Sequence, residues 1–378
     1  MNAVPREHVH KSMESVVNVN PRIAQPRNSK PMITGAFVHN AWYVAMWGDD
    51  LAREQVAGRT ILNEAIAIFR RADGSVAALA DRCAHRFAPL HMGKVVAGER
   101  IQCAYHGLEF DGSGVCVLNP HRNKRVPPSA RVRSYPVIEK HRAIWIWMGD
   151  KPSDPSTIPD FSPLDTREES HVTKLDWITI KANYELVIDN LLDLSHTSYL
   201  HDGLLGNQDM VDAEITVEQI GETVVVGRRS ANSTIPGLFA IQMPGHPRVD
   251  KWNTIRWTAP SNLLLRSGVH QPGTDPESGT GYYGIHFLTP ETDRTTRYHF
   301  TAVRWNVQTD ESANTQIREK ISVMRRFAFA EQDGPVIEAQ QIVIDQAGED
   351  LDPLSLSIDV GPMRYKRILQ NLIAQEQT

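Results

Sequence analysis

The chain runs to 378 residues, 41% of them hydrophobic, with eight tryptophans and a formal net charge of −5. That length suits two domains, each with enough apolar material for a sizeable core. The near-neutral balance, without a basic run, argues against nucleic acid or an anionic membrane as the main partner, and no apolar stretch approaches the roughly 18 residues of a membrane span.

Residues 1–36 are polar and proline-bearing, lack the apolar centre of a secretory signal, and read as a flexible arm. Residues 37–155 read as an all-β domain. AWYVAMW, TILNEAIAIFR and SVAALADRC are short β-branched or aromatic runs between glycine and charged turns. RAIWIWMGD is apolar enough for a strand buried on both faces. KPSDPSTIPDFSPLD, dense in Pro, Ser and Asp, reads as the linker. Residues 156–378 read as an α+β domain. It opens with a strand in HVTKLDWITIKA and a helical pattern in NYELVIDNLLDLSHTSYLH. Alternating strands and turns follow from about 212 to 305, then a helix near 311–346 and a last one in MRYKRILQNLIAQ.

The three cysteines, Cys83, Cys103 and Cys116, are too few and too odd in number for a disulfide framework. They suit a reducing cytoplasm, where a cysteine that matters is more often a metal ligand or nucleophile. Two are closely followed by histidine, in CAHRFAPLHMG (Cys83, His85) and CAYHGLEFDGSG (Cys103, His106), with 17 residues between His85 and Cys103. Each loop presents two ligands, and together they close a four-ligand site. Structural zinc accepts such a set, but its pairs are usually Cys-Cys and then His-His. A 2Fe–2S cluster with two Cys on one iron and two His on the other needs the mixed delivery found here. Such a centre relays single electrons and holds no substrate, which leaves more than half of the chain for another purpose.

In NYELVIDNLLDLSHTSYLH, Asn190, Asp193 and His196 recur every third residue and share one helical face, with His201 five residues further on. A lone histidine here would be a hydrogen-bonded core residue. Two of them beside Asp and Asn point to a metal. Two imidazoles and one carboxylate on one side of an iron leave positions open for O2 and substrate. The carboxylate has to come from elsewhere, and Asp333 is the candidate, because Gly334 and Pro335 interrupt a helical pattern immediately after it. Asp333 could instead cap the second half of that helix, and Glu331 is the substitute ligand.

These segments resemble the Rieske non-haem iron oxygenases. The two loops share the His-Arg-x-Ala-Pro-Leu and His-Gly-x-x-Phe-Asp continuations, with Ala104 where the usual second loop has Pro. Asn190, Asp193, His196 and His201 match the catalytic motif Asn-x-x-Asp-x-x-His-x4-His. The vanillate demethylase and dicamba monooxygenase type is the nearest subgroup, judged by NAWYVA, NLLDLSHTSYLH and IHFLTPETD. In its late helix Gln332, Asp333, Val336, Glu338 and Ala339 match, and Asp333 carries the ligand role.

The resemblance implies a Rieske 2Fe–2S domain followed by an α+β helix-grip (START-like) domain with a curved antiparallel sheet and a mononuclear Fe(II). Cys83, His85, Cys103 and His106 would hold the cluster, and His196, His201 and Asp333 the iron. A separate ferredoxin or flavin reductase would bring electrons from NAD(P)H. O2 would then oxidise a small aromatic substrate, and hydroxylation of a methoxy or N-methyl group would release formaldehyde. A homotrimer is implied too, in which Asp193 accepts a hydrogen bond from His106 of the next subunit and orients His196, with Asn190 in the same motif. His286 matches a substrate-contacting histidine, or is a strand histidine bonded to a neighbour. Leu204, Ile241 and Phe327 are candidate pocket walls, and Arg266 and Arg304 candidate carboxylate partners. A ring-hydroxylating dioxygenase, a non-catalytic electron carrier and a zinc-stabilised binding protein are the alternatives. The purified protein is expected to be brown and to contain acid-labile sulfide; a colourless zinc protein without sulfide contradicts the assignment.

Overall fold

The computed structural model describes residues 33–165, 168–348, 351 and 353–376. The expected arm therefore lies outside the described residues except for its last four. Those four are held, since the Thr34 amide donates to Glu185 Oε1 at 2.8 Å and its hydroxyl at 2.5 Å.

The first domain consists of strands joined by turns: β1 (Ala41–Trp47), β2 (Val56–Ile61), β3 (Glu64–Arg70), β4 (Val76–Ala80), β5 (Lys94–Val96), β6 (Arg100–Gln102), β7 (Glu109–Phe110), β8 (Cys116–Leu118), β9 (Ser134–Tyr135), β10 (Val137–Lys140) and β11 (Ala143–Met148). They form three sheets, ordered β1-β11-β10, β2-β3-β4-β9 and β5-β6-β7-β8. As expected, β11 is buried along its whole length. Successive strand side chains point to opposite faces, so one strand serves two cores. Ile144, Ile146 and Met148 enter the core of the first domain, whereas Ala143, Trp145 and Trp147 enter a core shared with the second.

The segment that reads as the linker is itself packed into that shared core. Ile158, Phe161 and Leu164, all from the Pro-rich segment, are buried in it beside Trp42, Trp47, Ile285 and Phe287. Phe161 meets Phe287 edge-on at 4.7 Å. The Leu62 and Asn63 amides donate to Pro290 and Glu291 carbonyls, so the two domains are joined by hydrogen bonds as well as apolar contact.

The second domain contributes β12 (Asp176–Ile180), β13 (Glu214–Ile220), β14 (Thr223–Thr234), β15 (Arg248–Thr258), β16 (Asn262–His270), β17 (Thr280–Thr292) and β18 (Thr295–Trp305). They form a seven-stranded antiparallel sheet ordered β12-β18-β17-β16-β15-β14-β13. Its helices are α1 (Tyr184–Leu192), α2 (Gly237–Ala240), α3 (Glu311–Phe327), α4 (Gly334–Ala347) and α5 (Val360–Glu376). The Asn183 side chain caps α1 by accepting from the Glu185 amide, and Asp310 caps α3 by accepting from that of Ala313. Ile317 and Ile321 of α3, Ile337 of α4 and Tyr365 of α5 are buried with strand residues, so the helices cover the sheet. The expected all-β and α+β division is the one observed.

Two segments differ from their sequence patterns. The helical pattern at 183–201 yields a helix only to Leu192, and Asp193 ends it in an extended conformation. The long pattern at 311–346 is divided by a π-helical turn at Ala328–Asp333. Pro335, without an amide hydrogen, sits in the first turn of the helix that follows, where none is needed.

Burial pushes the Glu185 carboxyl up to about 7, against the Thr34 hydrogen bonds and the Lys366 charge. The folded protein keeps a proton there that the unfolded chain gives up near 4.5. Its contribution to stability is full below that value and is lost as pH rises through about 7. Glu185→Gln keeps the neutral form at every pH. The wild-type melting temperature should therefore fall relative to that of the variant between about pH 4.5 and about pH 7.5; a constant difference across that window contradicts the assignment.

Candidate functional site

Cys83 and His85 lie in the loop between β4 and β5, Cys103 and His106 in the hairpin between β6 and β7. The two loops share one backbone frame. In each, the cysteine amide donates to the carbonyl five residues on, Cys83 to Ala88 and Cys103 to Leu108, both at 2.8 Å. In each, the cysteine carbonyl accepts from the amide four residues on, that of Phe87 or Gly107, both at 3.0 Å. Those two residues are left-handed, with φ of 58° and 70°. Glycine takes this conformation freely, whereas Phe87 bears its steric cost.

Both cysteines are buried, while His85 is exposed and His106 half-buried. The imidazoles are 4.6 Å apart between ring centroids. Burial pushes the Cys83 thiol up to about 11, and the Cys103 thiol beside it adds to the shift. A thiol placed as Cys83 is stays protonated until iron displaces the proton. A paired buried thiol set below a paired imidazole set fits a cluster with one sulfur-ligated and one nitrogen-ligated iron. Cys116 is buried with its thiol directed at the Leu118 carbonyl.

The second site forms where α1 ends. The Asp193 carboxylate accepts from the amide and hydroxyl of Ser195, which turns the chain into the short 3-10 helix His196–Ser198. His196 Nδ1 bonds the Asp193 main-chain carbonyl, so Asp193 orients that ring through its backbone and its carboxylate is engaged elsewhere. His201 Nδ1 bonds Gln332 Oε1 at 2.9 Å. With each Nδ1 engaged, each Nε2 is left to face a common point.

Asp333 occupies that point's third side. Its Oδ1 lies 3.1 Å from His201 Nε2 and 3.7 Å from His196 Nε2 and accepts from Asn190 Nδ2 at 3.0 Å. One ligating atom from each of His196, His201 and Asp333 lies within 4.8 Å of the others. The π-turn directs Asp333 inward, 3% exposed, and leaves Glu331 exposed on the surface; Glu331 takes no part. Burial alone lowers both imidazoles, and it prevails at His196. At His201 the Asp333 hydrogen bond and charge outweigh burial and raise the pKa. Two imidazoles and a carboxylate fit a divalent iron, whose binding displaces any proton on His201, with Gln332 and Asn190 fixing ligand directions.

His286 is buried on β17, its Nδ1 bonded to Tyr298 Oη at 2.5 Å and its Nε2 without a partner. Leu204 and Ile241 are half-buried against the second-domain cores. Phe327 is 50% exposed and forms no pocket wall. Arg266 pairs with Glu277 at the surface, and the buried Arg304 donates to Asn314 through Nη1, its Nε and Nη2 having no partner. Gln332 and Tyr298 are site residues that spacing did not reveal, because each acts through a neighbour distant in sequence.

The Rieske [2Fe–2S] domain family matches residues 41–136, and the vanillate O-demethylase oxygenase C-terminal domain matches residues 180–375. The chain is 38% identical to the oxygenase component of dicamba O-demethylase from Stenotrophomonas maltophilia, over 89% of this chain and 98% of that one. The chain belongs to the Rieske non-haem iron oxygenases. This oxygenase is also 34% identical to the vanillate O-demethylase oxygenase subunit of Pseudomonas sp. strain HR199, over 90% and 96% of the two chains. The crystal structure of dicamba monooxygenase with non-haem iron and dicamba superposes with a TM-score of 0.77 at 36% identity, covering 90% of this chain and 99% of that one. The cofactors of the oxygenase are a Rieske cluster and a mononuclear iron.

Replacing Asp333 by alanine should remove the mononuclear iron alone. Iron analysis should show a loss of about one iron per chain with acid-labile sulfide and visible spectrum unchanged. Loss of sulfide together with iron would place Asp333 outside the mononuclear site.

Proposed function

We propose that this oxygenase is a monooxygenase that removes a methyl group from oxygen or nitrogen of a small aromatic substrate. The observation that carries the reading is the one-sided triad of His196, His201 and Asp333, buried in a chain that also bears the two Cys/His loops. When bound, the cluster supplies single electrons and the mononuclear iron uses them to activate O2. The protein's part is to position and to exclude water. Asn190 and Gln332 hold Asp333 and His201, and Phe329, Tyr298 and Phe300 pack an aromatic wall beside them, with ring centroids 4.9 to 5.2 Å apart.

Electrons come from a separate reductase, as in the multi-component systems of the relatives. Among the described residues no helix is long and apolar enough to cross a membrane, which accords with placement in the cytoplasm. A ring-shaped trimer accounts for two surfaces. Phe87 and Tyr105, each within two residues of a cluster histidine, are 72 and 59% exposed, an apolar tip that calls for cover. Asn190, Asp193 and His196 line a half-open cavity of about 580 Å³ that such a tip could enter. His106 of one subunit would then donate to Asp193 of the next.

With a surrogate reductase and a panel of methoxylated and N-methylated aromatics, the reading predicts formaldehyde release equal to substrate consumed. A cis-dihydrodiol with no formaldehyde would make the protein a ring-hydroxylating dioxygenase. Asp193→Asn should keep both iron centres yet slow turnover by about a hundredfold or more; full turnover by that variant rejects the electron-transfer role of Asp193.

A further inference from the structure

The segment that carries both ligand histidines has little regular structure of its own. Beyond α1 it runs through the 3-10 turns His196–Ser198 and Gln208–Met210, and such short turns hold poorly without outside partners. One side chain of the sheet meets the segment at both ends. In β14, Val224, Val226 and Arg228 alternate onto the buried face while Arg229 points to solvent. Val224 and Val226 join the main core of the domain. Arg228, 4% exposed, takes the next inward position with a charge.

Arg228 Nη1 donates to the Leu194 carbonyl at 2.6 Å and to the Thr197 hydroxyl at 3.1 Å. Its Nη2 donates to the Ser198 hydroxyl at 3.0 Å and to the Met210 carbonyl. Leu194, Thr197 and Ser198 bracket His196, and Met210 closes the loop that follows His201. Within that loop Gln208 Nε2 donates to the Ser198 carbonyl at 2.9 Å. Gly206 lies so near that a Cβ on it would stand 2.6 Å from the Thr197 carbonyl oxygen. All four acceptors of the guanidinium are neutral. Beyond burial, the charge that acts on Arg228 is that of Asp193, at the head of the same turn. A cation buried without a carboxylate in contact is costly, and an apolar side chain would continue the stripe of valines without that cost. What only the guanidinium supplies is a planar fork of charge-assisted donors that reaches two stretches of chain at once.

We propose that Arg228 is a positioning residue of the mononuclear iron site. It clasps residues 194–198 to Met210, and so sets His196, and through the closed loop His201, in ligating position before iron arrives. It acts through the main chain and hydroxyls of the ligand segment. Without the clasp, iron has to order that segment as it binds, and its affinity falls by the cost of doing so. The inference rests on His196 and His201 being iron ligands, and it adds what holds them in place.

The test is the Fe(II) affinity of the mononuclear site. It is measured anaerobically on the cluster-bearing protein by dialysis against buffered free Fe(II), counting the iron in excess of acid-labile sulfide. Half-occupancy of Arg228→Met should need about tenfold or more free Fe(II) than that of wild type. Arg228→Lys, which keeps the charge and loses the fork, should fall between the two. Ser198→Ala, which removes one acceptor, should weaken binding by a smaller factor. Arg229→Gln removes the neighbouring surface charge and should match wild type. Sulfide content and visible spectrum should be unchanged in every variant. Wild-type affinity in Arg228→Met, or Arg228→Lys no better than Arg228→Met, overturns the proposal. So does a set of Arg228 variants that melt lower yet bind iron as wild type does, which makes Arg228 a residue of the fold alone. Should Arg228→Met not fold, Arg228→Lys and Ser198→Ala decide by the same measure. Iron lost from Asp333→Ala but held normally by Arg228→Met leaves the site and removes the clasp, whereas iron retained by Asp333→Ala removes the site itself.

Discussion

A single buried carboxylate, Asp333, holds the catalytic domain's site together. It lies within 3.7 Å of two imidazole nitrogens and 3.0 Å of the Asn190 amide. These partners come from the end of α1 and from the turn beyond it, while Asp333 comes from a helix about 140 residues later in the chain. Leaving such a charge unpaired in the interior would cost several kcal/mol, so both elements must be in place for the site to be stable. The π-turn at Ala328–Asp333 supplies the direction, since its wider winding rotates Asp333 inward while Glu331 stays in solvent. The Gln332 Oε1 contact to His201 and its amide bond to the Leu200 carbonyl tie the turn to the histidine segment.

The rest of the fold supplies rigidity around that point. Strand β11 contributes alternate residues to two cores, so the cluster-bearing domain and the catalytic domain share packing and do not merely adjoin. Phe287 stands in that shared core, while His286, the residue before it, faces the other side of β17 towards Tyr298 and Phe329. One strand therefore joins the domain interface to the aromatic cluster beside Asp333. On that side of the sheet Lys251 and Ser267 both donate to Asn253 Oδ1.

Much of this was legible in the sequence, for identifiable reasons. The cluster loops are local, so Cys83-x-His85 and Cys103-x-x-His106 announce themselves by spacing. The double burial of β11 followed from an unbroken apolar run. Asn190, Asp193, His196 and His201 were found by period, although the helix that the period implies ends at Leu192. The motif survives because the Asp193–Ser195 turn, not helical geometry, brings the residues together. Contacts between distant segments left no comparable trace. Arg325 continues the buried stripe of Ile317 and Ile321 at four-residue spacing, whereas Arg326, one position on, pairs with Asp176 at the surface; the strand residues that meet Arg325 could not be read from that period. The Pro-rich segment looked like a linker because its prolines and serines dominate its composition, whereas Ile158, Phe161 and Leu164 decide its place.

We place oxidation at the triad centred on Asp333, with electrons stored in the same protein. Protein reduced in full, freed of reductase and mixed once with O2 and a methoxylated aromatic acid tests it most directly. The wild type should release formaldehyde in that single turnover. His201→Ala prepared in the same way should keep the cluster spectrum and release none. Formaldehyde from the variant at the wild-type yield would place the oxidation away from this triad.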